Sequence, residues 1–258
     1  MPPLDAATLI AALDLPSGCR VDQRVPKKLL VENGAPTTAD KRKINDGIEE
    51  IHWLAALKPT TIGVPDYRDE MREYLEIAVL TVTLRPDAKV GRLAELTHRA
   101  VPYPVFLIMV AAGTNELTLS LAHKRGAQNE AEKVVLDGSV VEARLGGQPS
   151  MATHEAQFME AIALGRQPRA TLYALYQGWV DTLAALQAAL ITGQFVVGIT
   201  LEQTAARRAA LYRYRDIDNQ ITSLRATAVK EKQLSRQVTL NLEIKRLQAE
   251  RAEMLALL

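Results

Sequence analysis

The chain reads as an α+β protein: an N-terminal mixed or antiparallel sheet with flanking helices, followed by an all-helical C-terminal part that ends in a long coiled-coil-like helix or a helical hairpin. Three observations carry this reading. Strand-like runs of β-branched and apolar residues are concentrated between residues 60 and 145, set between turn signals. Gly146-Gly147-Gln148-Pro149-Ser150 then gathers chain breakers in one place. Beyond it the apolar period is helical, and the last 60 residues, Ile199 to Leu258, contain neither glycine nor proline. The division that follows is 1–150 for the α+β domain, 151–198 for a helical segment and 199–258 for the tail.

Taken in order, residues 5–13 make a short apolar helix stopped by Pro16 and Gly18. A turn-rich stretch leads to a second helix, with Thr37 and Thr38 as N-cap residues and Asp40 in the first turn. Ile44, Ile48, Ile51 and Ala55 fall on one stripe of it before Lys58-Pro59. Thr60–Val64 is β-branched and reads as a strand. In Tyr74–Leu84, Leu75, Ile77 and Val79 lie on one face and Ala78, Leu80, Val82 and Leu84 on the other, which marks a central strand buried on both sides. Val90–Ala100 reads as a helix carrying Leu93, Leu96 and Ala100. Pro102 and Pro104 lead into a strand at Val105–Val110, and Thr114-Asn115 separates it from Leu117–Ala122 as a hairpin. A second hairpin is expected from Lys133–Leu136 and Ser139–Leu145, joined at Asp137-Gly138. His154–Leu164 is helical. The next helix carries a broad stripe of Leu172, Leu175, Tyr176, Trp179, Val180, Leu183, Leu186 and Leu190, with Gly193 as its stop.

In the tail, Tyr214, Ile217, Ile221, Leu224 and Ala228 follow the spacing of a coiled-coil seam. Leu240, Ile244, Leu247, Met254 and Leu258 follow it again two positions out of phase, with Arg251 interrupting and Lys230-Glu-Lys-Gln233 between the two sets. The absence of glycine at the middle favours one long or weakly bent helix, and the seam is expected to be covered by a partner chain or a second copy.

Composition bounds the function classes. At 258 residues, 48% hydrophobic and 24% charged, the chain has enough apolar material for a sizeable core. The one cysteine, Cys19, excludes an internal disulfide. The N-terminal residues lack the pattern of a secretion signal, and the longest apolar run, Val101 to Ala112, is broken by two prolines, so a cytoplasmic protein without a membrane span is expected. Net charge is +1, but the tail holds 11 Lys and Arg against 7 Asp and Glu. A polyanion would therefore meet the tail more favourably than the rest of the chain.

Motifs for chemistry are scarce. The sequence has no phosphate-binding glycine loop, no paired cysteines and no nucleophile elbow. Its four histidines, His52, His98, His123 and His154, lack metal-ligand spacing, so no metal or cofactor is expected and an enzyme is the less favoured reading. A metal-dependent nuclease needs two carboxylates and a lysine at a sheet edge. Asp66 and Glu76 are the weak candidates, with Ala78 standing where the lysine would be. Candidate anion- or DNA-binding residues are Arg24, Lys27 and Lys28 around Pro26, Lys41, Arg42 and Lys43 in the first turn of the second helix, where they oppose its dipole, and Lys124 and Arg125.

Read as a series, Arg24-Val-Pro-Lys-Lys28, Ile48-Glu-Glu-Ile-His-Trp53, Leu57-Lys-Pro-Thr-Thr-Ile62, Glu76-Ile-Ala-Val79, Val101-Pro-Tyr-Pro104, His123-Lys-Arg125 and Lys230-Glu-Lys-Gln233 resemble the bacterial domain-of-unknown-function family 4391 over nearly the entire chain. The resemblance brings no catalytic residues. It implies a setting beside a restriction-like helicase and a DNA methyltransferase, as in defence against phage. The leading expectation is a non-enzymatic accessory or adaptor subunit whose partners are that helicase, that methyltransferase or both, with a homodimer through the tail and direct DNA contact as further associations. The alternatives are a divergent nuclease using Asp66 and Glu76, or a DNA-binding module using the basic residues.

Overall fold

A computed structural model describes residues 5–113, 116–127, 130–146, 152–198 and 200–258. The chain divides into two compact units, Met1–Leu183 and Ala184–Leu258, described in turn.

The first unit is built on a six-stranded mixed sheet. Its strands are β1 (Arg20–Arg24), β2 (Ile48–Leu57), β5 (Ile77–Leu84), β6 (Val105–Ala111), β7 (Leu117–Leu121) and β10 (Val141–Leu145), hydrogen-bonded in that order. All neighbours are antiparallel except β5 and β6, which run parallel and are joined through α5 (Val90–Ala100). A parallel pair needs such a crossover, because no tight turn can reverse the chain twice. Two small ribbons, β3 (Tyr67–Arg68) with β4 (Glu73–Tyr74) and β8 (Lys124–Ala127) with β9 (Glu130–Leu136), lie outside this sheet. β5 is buried along nearly its whole length, as its two apolar faces require.

Helices α2 (Lys27–Gly34), α3 (Thr38–Gly47) and α5 supply Leu30, Ile44, Leu93 and Leu96 to one face of the sheet. There they form one core with Ile48, Ile51, Leu80, Val82, Leu107 and Met109. On β6 the alternate side chain Phe106 meets Trp179 of α7 (Leu172–Thr192) edge to face, with ring centroids 5.0 Å apart. Tyr176 of the same helix donates its hydroxyl to the carbonyls of Val105 (2.8 Å) and Ala122 (3.1 Å) and accepts the Ala122 N–H at 2.9 Å. α1 (Ala6–Ala12), capped by Asp5, and α6 (Ala152–Ala161) complete the unit.

Four expectations are corrected. The second helix stops at Gly47, and Ile48–Leu57 is strand β2, not more helix. The misleading stripe has a physical cause. The register of β2 slips between Ile48 and Glu50 and again between Trp53 and Ala55. The extra residue of the first bulge brings Ile48 and Ile51 to one face at a three-residue spacing, which imitates a helix. Thr60–Val64 is not a strand: Pro59–Ile62 is the single turn α4, pre-set by Pro59 and ended at Gly63 with φ +63°. The second hairpin is not formed either, because β9 pairs with β8 while β10 joins the main sheet beside β7. α2, in the stretch read as turn-rich, closes against α5 where a Cβ on Gly34 would meet the Leu96 carbonyl oxygen at 2.5 Å. The Thr114-Asn115 turn, the breakers at 147–150 and Ile199 lie outside the described residues; the strands flanking the first of these pair antiparallel.

The second unit corrects the preference for one long helix. α8 (Leu201–Lys230) and α9 (Leu234–Leu255) are separate helices. Arg213 meets Glu250, Asp218 meets Arg251, and the Ala228 carbonyl accepts from Gln237 at 3.4 Å, so the two run antiparallel as a hairpin. Glu231 makes the turn without glycine: its backbone N–H closes α8 on the Thr227 carbonyl, and its Oε1 accepts from the N–H groups of Lys232 (2.8 Å) and Gln233 (2.9 Å). A straight helix would leave both seams in water. Folding back buries Ile217, Ile221, Ile244 and Leu247 against one another, each worth about 1.5–3 kcal/mol.

Candidate functional site

Most of the basic residues singled out in the sequence are occupied locally. Arg24 on edge strand β1 pairs with Glu50 at 3.2 Å. Lys27 reaches the carbonyls of Ile48 (2.9 Å) and Asn45 (3.4 Å), so it caps the C-terminal end of α3, where the helix dipole favours a cation. Lys28 pairs with Glu32 and Arg42 with Asp46, each one turn away. Lys43 and Arg92 converge on Asp40, a buried carboxylate that also bonds Thr37. The Arg92 guanidinium above all holds the Asp40 carboxyl well below the usual carboxylate range. Lys41 is exposed at the first turn of α3. The turn does bring Lys27 to α3, but at the opposite end from Lys41–Lys43.

Lys124 and Arg125 do not extend that set. Arg125 lies 3.8 Å from Asp137. Lys124 is buried, and its ammonium donates to the carbonyls of His98 and Val101 at the C-terminal end of α5. Burial pulls its pKa down to about 7. His98, fully buried beside it with Nε2 2.9 Å from the Ser120 hydroxyl, is pushed down to about 3 by burial first and by Lys124 second, so it is neutral. Tyr74 and His123 continue this polar seam, with Tyr74 Oη 2.5 Å from His123 Nδ1 and 3.4 Å from the Lys124 N–H. These groups lock β8 onto the body of the first unit.

The two nuclease candidates sit in different surroundings. Tyr67 stands opposite Tyr74 and Arg68 opposite Glu73 in the β3–β4 ribbon, and Asp66 and Glu76 both lie outside that two-residue ladder. Their burial differs: the Asp66 side chain is half exposed, whereas that of Glu76 is buried and lies 3.1 Å from Lys58 Nζ through Oε2. Glu76 Oε1 has no hydrogen-bond partner among the described residues. Lys58, at the end of neighbouring β2, thus supplies the ammonium missing at Ala78. Among the described residues no group of three or more His, Cys, Asp or Glu is arranged to hold a metal ion.

Concave features of the first unit include a cleft and a groove beside α2. An apolar cleft of about 340 Å³ opens between α2 and the end of α5 and is lined by Leu29, Leu30, Trp53, Leu80, Val101 and Tyr103, with Arg24 and Asn33 among its few polar groups. Its volume suits a small ligand or an inserted side chain. A broader groove of about 1230 Å³ runs past Glu32, Glu95, Arg99, Val134 and Glu142. Burial raises the Glu142 carboxyl, Arg144 opposes that, and the nearby Glu95 adds to it. Sequence patterning missed both, because they form where α2, unrecognised as a helix, meets residues far along the chain.

In the second unit the predicted seam is largely closed from within. Ile217, Ile221, Ile244 and Leu247 are buried together, with Leu224 and Met254 packed against them, while Tyr214 and Leu240 are half-buried. Arg251, which interrupts the seam in the sequence, stands over the Tyr214 ring at 5.8 Å from its centroid and pairs with Asp218. What the hairpin leaves open is the other side of α9. Leu234, Val238 and Leu242 are 76%, 51% and 64% exposed, and the 3.6-residue period sets them opposite the closed seam. Exposed Lys245, Ala249, Ala252 and Ala256 continue this line.

The chain belongs to the family described as a domain of unknown function, DUF4391, whose model matches residues 13–250. No curated protein matches it. No solved structure matches it either. Among the described residues no helix is long and apolar enough to cross a membrane.

Proposed function

We propose that the chain is a non-enzymatic accessory or adaptor subunit of a bacterial phage-defence system of the helicase and methyltransferase kind, acting in the cytoplasm through protein–protein contacts. The observation that carries this reading is the uncovered aliphatic line on α9. Leu234, Val238 and Leu242 face water on a helix whose other apolar edge is already satisfied. Single exposed leucines are ordinary on protein surfaces, but three on successive turns of one helix face form the pattern by which a helix docks into a partner's groove. The basic residues, dispersed among local partners, give no second centre that competes with it.

Co-purification of the full chain with any helicase or methyltransferase encoded beside it tests the reading. Val238→Ser with Leu242→Ser is expected to abolish a complex that the unsubstituted chain forms. A chain that binds neither helicase nor methyltransferase overturns it. The nuclease alternative predicts DNA cleavage with Mg²⁺ or Mn²⁺ that is lost in Glu76→Ala; equal absence of cleavage in both chains is the expected result.

A further inference from the structure

We infer that the partner is gripped by the turn end of the α8–α9 hairpin, and that the partner surface there is a protein surface with acidic residues around an apolar pocket. This rests on the adaptor reading and names the chemistry of its docking site. Around the turn, Arg225, Lys230, Lys232 and Arg236 are all exposed, and none of their side chains has a hydrogen-bond or ion-pair partner among the described residues. The one carboxylate in that stretch, Glu231, is already engaged by the N–H groups of Lys232 and Gln233. Elsewhere in the hairpin Arg213 pairs with Glu250 and Asp216, Arg246 with Glu243 and Arg251 with Asp218, while Arg215 and Lys245 stand apart from one another without an ion pair among the described residues. Four unpaired cations within residues 225–236 make the turn end the densest unpaired positive charge of the hairpin.

The same end carries the most exposed aliphatic side chains of the hairpin. Val229 is 84% exposed and Leu234 76%, one on each side of the turn, and the Gln237 side chain bonded to the Ala228 carbonyl shows that the two helices are adjacent at this level. Cations ringing aliphatic anchors complement a surface whose apolar pocket is rimmed by carboxylates. Single-stranded nucleic acid fits less well, because residues 225–242 include no aromatic side chain on which a base would stack, and a duplex backbone offers no apolar pocket for the exposed Val229 and Leu234. An anionic bilayer fits less well for the same reason, since interfacial helices anchor with aromatic residues as well as leucine.

The test uses the full chain and measures its affinity for the co-expressed helicase by titration calorimetry at several salt concentrations. A 30-base-pair DNA duplex and phosphatidylglycerol vesicles serve as parallel probes. Charge reversal at Arg225, Lys230, Lys232 and Arg236 to Glu is expected to weaken helicase binding by on the order of tenfold or more, with the remaining affinity less sensitive to salt. Leu234→Ser is expected to weaken it separately. Circular dichroism checks that each variant keeps its helicity, and Lys230→Gln with Lys232→Gln is the milder variant should the reversals unfold the hairpin. Helicase binding that persists unchanged in the tip variants overturns the docking end while leaving the adaptor reading standing. No binding by the unsubstituted chain overturns both, and tighter tip-dependent binding to the duplex or the vesicles overturns the assigned partner class.

Discussion

The sheet core of the first unit and the α8–α9 hairpin of the second solve the same problem, hiding apolar surface, to different degrees. In the first unit the apolar residues of β5 and most of those of β6 are buried, and even the polar groups drawn inside are mostly partnered: Tyr176 with two carbonyls, Lys124 with the end of α5, Asp40 with Arg92. In the hairpin one apolar edge of α9 is closed and the opposite one is left in water. A core with its bonds internally satisfied gives a partner little to hold, whereas an amphipathic helix with a spare edge offers a grip. On the adaptor reading, the first region serves as scaffold and the second as the recognition surface.

The sharpest way to break the comparison is to damage the core. Trp179 is 1% exposed, packs on Phe106, and donates its indole N–H to the Ile162 carbonyl at 2.8 Å. Trp179→Ala removes a large buried ring and leaves that carbonyl without its donor, so a loss of about 3–5 kcal/mol is expected in urea denaturation. Leu247→Ala at the closed seam is expected to cost about 2–4 kcal/mol. The two should be told apart by limited proteolysis: the seam variant is expected to be cut first within residues 200–258, and equal cleavage throughout would mean that the hairpin and the core unfold as one.

Much of this contrast could be read from the chain, and what was lost has identifiable causes. β5 and α5 were legible because their apolar residues keep one period from end to end. β2 was not, since two bulges break its alternation and bring Ile48 and Ile51 into a helical spacing. The partner of β9 was invisible because Asp137-Gly138 is a sound turn signal whose flanking strands find better neighbours elsewhere. In the tail the seam residues were legible and their partner was not: the two-position phase slip already separated two independent helices, but a hairpin turn held by Glu231 carries no glycine to announce it. The buried role of Lys124 had no signal, as a lysine beside an arginine at a strand start reads as surface charge.

That lysine gives a subtler test of how tightly the core is satisfied. Its ordinary pKa of 10.5 falls to about 7 in the fold, so between pH 7 and 10.5 the unfolded chain keeps a proton that the folded chain has released. Folding stability is therefore expected to rise with pH across this window. Below pH 7 the ammonium is charged in both states, and its burial cost is paid in full. Lys124→Met removes the group and should flatten the slope, measured as urea midpoints from pH 6 to 10. His98 adds a separate window with the same sign. Because its folded pKa is depressed to about 3, stability falls as pH drops below 6.5, and His98→Gln should reduce that fall.

The smallest expected effect sharpens the comparison most. Leu242 is 64% exposed on α9, away from the seam, so Leu242→Ser deletes little buried area in the isolated chain. Serine is a slightly poorer helix former than leucine, which accounts for a few tenths of a kcal/mol, and the urea midpoint should stay within about 0.5 kcal/mol of the unsubstituted chain. If the uncovered edge is a docking face, the same substitution must cost far more in the complex, because there the leucine becomes a buried side chain worth about 1.5–3 kcal/mol. Thermal unfolding of the free chain and helicase affinity, measured on one preparation, separate the two quantities. A variant that loses stability in the free chain by as much as it loses in binding would mean that this edge is covered from within after all, and the division of labour between core and hairpin would fail at the residue that most clearly expresses it.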